Sequence, residues 1–316
     1  MDPGSIQIGL SLAQGRIAAV DIVHHQAQTT RLLLGLESEK ALALLPSLYS
    51  LCARAQGAAA RAAHAAAAGR SVQAQDEGVA AEAAQEHLWR LLIDWPRELG
   101  LAPQEKRYAH WRRALLREPG ALVRAEFRTF LETEFFGLPL DAWLAIEDVQ
   151  KLPGEAMAGR LCQVLLQEEG ERALASDLRE TGAYPRRYST GLLAGLPGRP
   201  LLARLLARMG ELAAQVLDER SHLLPGTVSS LPLVPGRGRA QVETARGSLM
   251  HEVEIADGRV AAYTISSPTE VNFQPLGPLQ ALLLGRSCAS VEAAETLARR
   301  SVLALDPCVA CSVEVA

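Results

Sequence analysis

The sequence predicts an α+β fold: a helical body with a small β-sheet built from N- and C-terminal hairpins. Three observations carry this. Apolar and polar residues alternate through Ile6, Ile8, Leu10 and Leu12, and Arg16–Ile22 follows the turn at Ala13-Gln-Gly15. A second pair of strand-like runs, His251–Ile255 and Arg259–Ile265, flanks Asp257-Gly258, a strong two-residue hairpin signal. Between the two hairpins, apolar positions recur every three or four residues, which is the helical period.

Residues 53–68 are nearly all alanine, with Arg54, Arg61 and His64. Such small side chains let a helix pack closely against its neighbours. Helical spacing continues through 79–93, 104–117, 121–135 and 141–150, punctuated by Pro96, Pro103, Pro119 and Pro139. A longer amphipathic helix is expected from Leu201 to about Ser221. Residues 224–239, with Pro225, Gly226, Pro232, Pro235 and Gly236, read as a loop into the second hairpin. The last helix begins near Ser290, with Glu292 in its first turn, and delivers the chain to Asp306.

The two hairpins share Gly-Arg-Ile/Val-Ala-Ala after their turns, a pattern that common demands on two hairpins explain as well as a remote duplication does. Strands from both ends are expected to meet in one sheet, bringing the termini together. The expected organisation is a single domain over 1–316. It has an N-terminal hairpin region at 5–37, a helical body at 40–223 and a C-terminal hairpin, helix and tail at 240–316.

The chain has 316 residues and a formal net charge of −4, which offers no electrostatic case for nucleic acid or an anionic membrane. No run approaches the ~20 apolar residues of a spanning helix. The opening Met-Asp-Pro-Gly-Ser lacks a basic region followed by an apolar stretch, so no signal peptide is expected. Five cysteines, an odd count without disulfide-framework spacing, suit free thiols in a reducing cytoplasm.

The tail carries the chemistry. Asp306-Pro-Cys-Val-Ala-Cys311 places two thiols three residues apart after an Asp-Pro step. Asp306 is expected to cap a short helix with Pro307 in its first turn, where the helix N-terminus favours thiolate. Cys-x-x-Cys alone fits half of a zinc site, a redox pair or chance. Cys162 lies in an apolar helical stretch and reads as core, and Cys288, before the last helix, reads as structural. Gly236-Arg-Gly-Arg239 does not follow a strand and open a helix, so it is no nucleotide-binding loop. Gly-x-Ser-x-Gly and His-Glu-x-x-His are absent.

Asp-Pro-Cys-x-x-Cys near a C-terminus resembles the end of a nickel-iron hydrogenase large subunit. Glu243-Thr-Ala-Arg-Gly-Ser-Leu-Met-His251, Asp257-Gly-Arg-Val-Ala-Ala-Tyr263 and Pro268-Thr-Glu-Val-Asn-Phe-Gln-Pro275 match that pattern in order and spacing. Leu51-Cys-Ala-Arg-Ala-Gln56 falls where large subunits have their first Cys-x-x-Cys. The resemblance covers roughly residues 5–70 and 185–316, and it implies a reduced version of the large-subunit fold.

Departures from the pattern point away from catalysis. Ala55 replaces one of the metal-binding thiols, and Leu276 stands where the enzymes carry an arginine over the metal centre. Ile6-Gln-Ile-Gly9 lacks the glutamate of the enzymes' opening run. Glu314 occupies the place of their last histidine, and no long cleavable extension is expected. The chain therefore resembles the large-subunit-like accessory proteins of the HupK/HoxV type, which are assembly factors and not hydrogenases.

That resemblance implies a transient Fe(CN)2(CO) unit, without nickel, held by Cys52, Cys308 and Cys311, with Arg246 either a donor to the cyanides or held in a sheet-edge salt bridge. It implies no catalytic residue. His251 reads as a packing residue behind the site, His64 as a weaker candidate, His24-His25 as a solvated strand end, and Thr269 and Asn272 as shapers of the pocket. A small hydrogenase maturation chaperone is the expected partner, with a hydrogenase large subunit precursor as a possible second. The competing readings are a minimal hydrogenase, a structural zinc protein on the same cysteines, and an assembly platform without metal.

Overall fold

The computed structural model describes residues 4–25, 28–170, 179–189, 191–196, 198–218 and 223–316. It is an α+β architecture with two separate sheets where one was expected. The N-terminal strands β1 (Ser5–Ala13) and β2 (Arg16–His25) form the predicted antiparallel hairpin. Its partner is not the second hairpin. The tail strand β8 (Ala310–Val315) lies parallel to β1, with Ser5 opposite Ala310 and Ile6 opposite Cys311. The two ends of the chain do meet, but through the tail.

The second sheet has the order β3-β4-β5-β6-β7. Its strands are β3 (Gln73–Gln75), β4 (Thr227–Val234), β5 (Arg237–Thr244), β6 (Gly247–Ala256) and β7 (Arg259–Ser266). Residues 224–239, expected as a loop, thus contain β4 and a third hairpin turning at Pro235-Gly236. Pro232 lacks an N–H, and the register of β4 against β5 shifts between Pro232 and Val234. Prolines and glycines therefore mark an irregular strand and its turn here, not an open loop.

The alanine-rich segment forms α1 (Ala53–Ala67), which lies across the second sheet. Gly238 of β5 makes that contact possible: a Cβ there would stand 2.2 Å from the Ala67 nitrogen and 2.3 Å from the Ala63 carbonyl oxygen. Ala59, Ala63, Val242, Leu249 and Val253 fill the seam.

The helical body includes α2 (Glu77–Trp89), α3 (Glu105–Arg117), α4 (Met157–Glu168) and α5 (Pro200–Val216). Leu88, Leu115, Phe135, Leu165 and Met209 share its core. A π turn at Arg90–Asp94 continues α2 into a short helix at Trp95–Glu98. Pro96 sits in the first turn of that helix, where its missing N–H costs nothing. The expected helix at 121–135 is broken into a 3-10 turn, a helix at Ala125–Phe130 and a π turn at Leu131–Phe136. That at 141–150 is reduced to Leu140–Leu144 and a 3-10 turn at Val149–Lys151. The end expected for α5, Ser221, lies outside the described residues.

A short helix, α6 (Pro268–Asn272), opens with a capping box from Ser267 and Glu270. The last helix, α7 (Val291–Leu305), is N-capped by Ser290, as expected. It packs with Ile6, Ile8, Leu279 and Leu282 in a third core under the first sheet. Among the described residues no helix is long and apolar enough to cross a membrane.

Candidate metal centre

The start of α1, the end of β5 with its turn into β6, the end of β7 with α6, and the segment after α7 converge on a cleft of about 920 Å³. Tyr49, Cys52, Gln56, Arg246, Thr269 and Cys308 are among its lining residues. The structure thus brings together Cys52, Cys308 and Arg246, which are distant in sequence.

Cys52 precedes α1 and uses no side-chain cap. Glu82 of α2 replaces one: its carboxylate accepts from the N–H groups of Arg54 at 2.9 Å and Ala55 at 3.1 Å. Burial raises the Glu82 pKa to about 7, although these two hydrogen bonds pull it down. Burial pushes the Cys52 thiol up to about 12, helped by the neighbouring Cys308, while Arg246 opposes the rise. The metal-free site therefore holds Cys52 as a thiol, and a bound metal must displace its proton.

Cys308 does not sit on a helix. Asp306 is the C-cap of α7, with φ 54, and Cys308 and Cys311 follow in a bend and in β8. The expected cap of a new short helix fails because the Asp306 carboxylate is committed elsewhere. It takes Arg90 Nε at 2.7 Å and Arg208 at 3.0 Å, with Arg246 Nε at 3.4 Å. Burial would raise the Asp306 pKa, but Arg246, Arg90 and Arg208 outweigh it and hold the carboxyl far below the usual range. The π turn at Arg90–Asp94 sets Arg90 where it can reach this carboxylate.

Arg246 is buried and also pairs with Glu86. Burial would lower its pKa, yet the charges of Asp306 and Glu86 raise it strongly. Its Nε has no hydrogen bond, because its approach to Asp306 lies outside hydrogen-bond geometry. Arg246 also lines the cleft, where its guanidinium is the cationic donor available to an anionic or cyanide ligand.

Thr269 and Cys308 are tied twice: the Cys308 N–H donates to Thr269 Oγ1 at 3.1 Å, and the Thr269 hydroxyl donates to Cys308 Sγ at 3.2 Å. Asn272 bonds both the N–H and the carbonyl of Thr181, at 3.0 and 2.9 Å. Thr269 therefore touches the sulfur, beyond the shaping role expected of it, while Asn272 fixes the α6 segment.

Cys311 stands apart. Its thiol donates to the Val309 carbonyl at 3.8 Å, and it lines a separate hollow of about 260 Å³ with Arg90 and Asp306. Val309 borders both spaces. Burial, then the proximity of Cys308, pushes the Cys311 thiol up to about 12, against the thiolate expected at a helix N-terminus. Among the described residues no group of three His, Cys, Asp or Glu side chains is arranged to hold a metal.

His251 is a buried packing residue, as expected. It bonds Tyr263 Oη at 2.8 Å and Gln56 Oε1 at 2.9 Å, and burial lowers its pKa to about 3. His64 bonds the Ala60 carbonyl at 2.9 Å and packs on Tyr263. His24 and His25 border the cleft at its β2 side. Cys162 is core: burial alone raises its pKa. Cys288 is buried and its N–H donates to the Gly15 carbonyl. Leu276 is 87% exposed with φ 59, outside the cleft lining.

Residues 202–314 match the family model described as nickel-dependent hydrogenase. The whole chain is similar to curated proteins. It is 31% identical to the hydrogenase expression/formation protein HupK of Rhizobium leguminosarum bv. viciae, over 99% of this chain and 96% of that one. Against the hydrogenase expression/formation protein HupV of Azotobacter chroococcum mcd 1, identity is 32% over 99% of this chain and 98% of that one. For the hydrogenase expression/formation protein HoxV of Cupriavidus necator it is 31%, over 90% of each. Among solved structures, the Ni-Fe-Se hydrogenase from D. vulgaris Hildenborough superposes with a TM-score of 0.60 at 14% identity, covering 94% of each chain. A reduced Ni-Fe-Se hydrogenase from Desulfomicrobium baculatum superposes with a TM-score of 0.59 at 12% identity, covering 95% of each. At those identities the likeness speaks for the fold.

Proposed function

Because this chain belongs to the family of HupK-, HupV- and HoxV-type hydrogenase expression/formation proteins, we propose that it serves hydrogenase maturation as a scaffold for the iron unit. Its cargo is Fe(CN)2(CO), which it holds transiently and passes towards the nickel-iron hydrogenase large subunit. The observation that carries this reading is the pairing of Cys52 and Cys308 in one open cleft beside the buried Arg246. Two soft sulfurs suit iron, and the Arg246 guanidinium suits a cyanide nitrogen.

Cys52 and Cys308 are the first two ligands in this proposal. Cys311 is the third, recruited as the tail segment turns towards the cleft. A cage not assembled in advance fits a carrier, which must release what it binds. Ala55 leaves the cleft without a fourth thiolate, so nickel is not retained. The family's hydrogen chemistry is not expected here. The partner that delivers or receives the unit is a small hydrogenase maturation chaperone docking at the cleft mouth, and its own thiolate can exchange with Cys308 without freeing iron.

The test is an infrared spectrum of protein purified without oxygen from cells making the maturation machinery. Cyanide and carbonyl stretches should appear, without stoichiometric nickel or hydrogen turnover, and the chaperone should co-purify. Cys52→Ala and Cys308→Ala should abolish the bands and Cys162→Ala should keep them. A wild-type preparation that carries zinc, or no metal, and no bands sinks the iron-scaffold reading.

A further inference from the structure

Each sulfur in the cleft meets a side-chain donor. The Cys52 donor is Gln56, whose Nε2 lies 3.6 Å from Cys52 Sγ, and Gln56 is 2% exposed. An amide can face a sulfur with either end, and the NH2 and carbonyl ends have opposite effects. The donating end stabilises a thiolate or a metal-bound sulfur, whereas the carbonyl end stabilises the thiol. What decides the orientation lies behind Gln56. Its Oε1 is 2.9 Å from His251 Nε2, and His251 Nδ1 is 2.8 Å from the Tyr263 hydroxyl.

With the amide placed Nε2 to sulfur and Oε1 to His251 Nε2, the proton count along this row has one direction. The Tyr263 hydroxyl is bonded to His251 Nδ1. With Oε1 of the Gln56 amide facing Nε2, a neutral His251 carries its proton there and leaves Nδ1 as an acceptor. The hydroxyl therefore donates to Nδ1. The imidazole, fully buried and neutral, then carries its proton on Nε2 and donates to Gln56 Oε1. The amide NH2 faces Cys52.

We propose that Gln56 is the positioning residue for the Cys52 sulfur, oriented from behind by the Tyr263–His251 pair. The counterpart on the other sulfur is the Thr269 hydroxyl, which donates to Cys308. Cys311 has the opposite arrangement, donating its own proton to a carbonyl. In the cleft two sulfurs accept a side-chain hydrogen bond, and the third donates one to the backbone. The proposal deepens the scaffold reading and can be tested without iron.

The experiment measures alkylation of the metal-free protein by iodoacetamide at one fixed pH, with Cys52 and Cys308 followed separately by peptide mass spectrometry. Losing one charge-assisted hydrogen bond lowers the thiolate fraction about tenfold and partly restores nucleophilicity, so Gln56→Leu should slow Cys52 by about threefold. Cys308 should be unchanged. Thr269→Val should give the mirror image. Tyr263→Phe, which removes one oxygen and keeps the ring packing, should slow Cys52 in the same direction as Gln56→Leu. A purely structural role predicts a different sign, because a loosened fold exposes and accelerates both thiols. Cys52 unchanged or accelerated in both Gln56→Leu and Tyr263→Phe overturns the proposal. The infrared bands of loaded wild-type protein decide the scaffold reading separately, since the alkylation pattern stands or falls without them.

Discussion

The thiols of this site are built to be activated by their cargo, not by their surroundings. Cys52 and Cys311 are both pushed up to about 12 by burial, so a ligand that binds as thiolate must supply the driving force for two proton losses. Behind Cys52, His251 is held neutral with its pKa lowered from 6.5 to about 3 by burial. Between those values the unfolded chain binds a proton that the folded chain refuses, so stability falls as the pH drops from 6.5 towards 3. The slope is about 1.4 kcal/mol per pH unit. His251→Gln should remove it, whatever its effect at neutral pH, in urea titrations across this window. The meeting of Cys52, Cys308 and Arg246 in one cleft and the burial of His251 were legible because motif spacing marks residue types with few substitutes, whereas Cys311 was expected in that cleft and lies in a separate hollow. Gln56 and Glu82 were not, since a glutamine or glutamate inside a helix gives no local sign of what it reaches across space. Gln56 does lie four residues after Cys52, one helical turn on, and that spacing was the available signal.

Among the elements, hairpins and amphipathic helices were readable from period alone; α1 kept its predicted span, while α5 ends at Val216, short of the expected end near Ser221. The misreadings have a common cause. Turn residues at 224–239 were taken to exclude a strand, yet an irregular edge region tolerates Pro232, and Pro235-Gly236 is the hairpin turn itself. Likewise, Asp306-Pro307 carries the local signature of a helix start, but three arginines from other elements recruit the Asp306 side chain. The α1 helix shows how two elements share one capping group. Glu82 bonds its first free N–H groups, and its pKa rises from 4.5 to about 7. In this window the folded chain binds more protons than the unfolded one, so stability falls as pH rises from 4.5 to 7, by about 3 kcal/mol in all. This trend opposes that of His251 between 4.5 and 6.5. Glu82→Gln, which can still accept one N–H, should unmask a rise in stability with pH over the same range. At the opposite face of α1, Gly238→Val should destabilise by about 3 kcal/mol or more, because the backbone atoms of Ala63 and Ala67 cannot move aside. Thermal unfolding would report it.

At the scale of the molecule, the cleft exists because distant parts of the chain are locked to one another by buried charge. The tail reaches the cleft between α7 and β8, and it meets the N-terminal hairpin through the parallel pairing of β8 with β1. Asp306 joins that tail to the π turn at Arg90, to α5 through Arg208 and to the second sheet through Arg246. A parallel network extends from α5 through Glu211 and Arg186 to Glu243 on β5. Neither network could be read from sequence, because a charged residue in a helix normally marks a solvated face, and Arg208 and Glu211 are buried instead. Such clusters contribute little net stability when complete, but they are costly to break, since the remaining charges stay buried without a partner. Asp306→Asn leaves three guanidinium groups facing a neutral amide. It should cost about 3–5 kcal/mol in urea unfolding. The loss should also be local: backbone amides of 307–315 should exchange faster than those of the β5–β7 strands, because the tail loses its anchor while the second sheet keeps its own ladder. If Asp306→Asn unfolds the protein uniformly, or leaves tail exchange unchanged, the carboxylate does not anchor the cysteine-bearing segment and Cys308 must be placed by Thr269 alone.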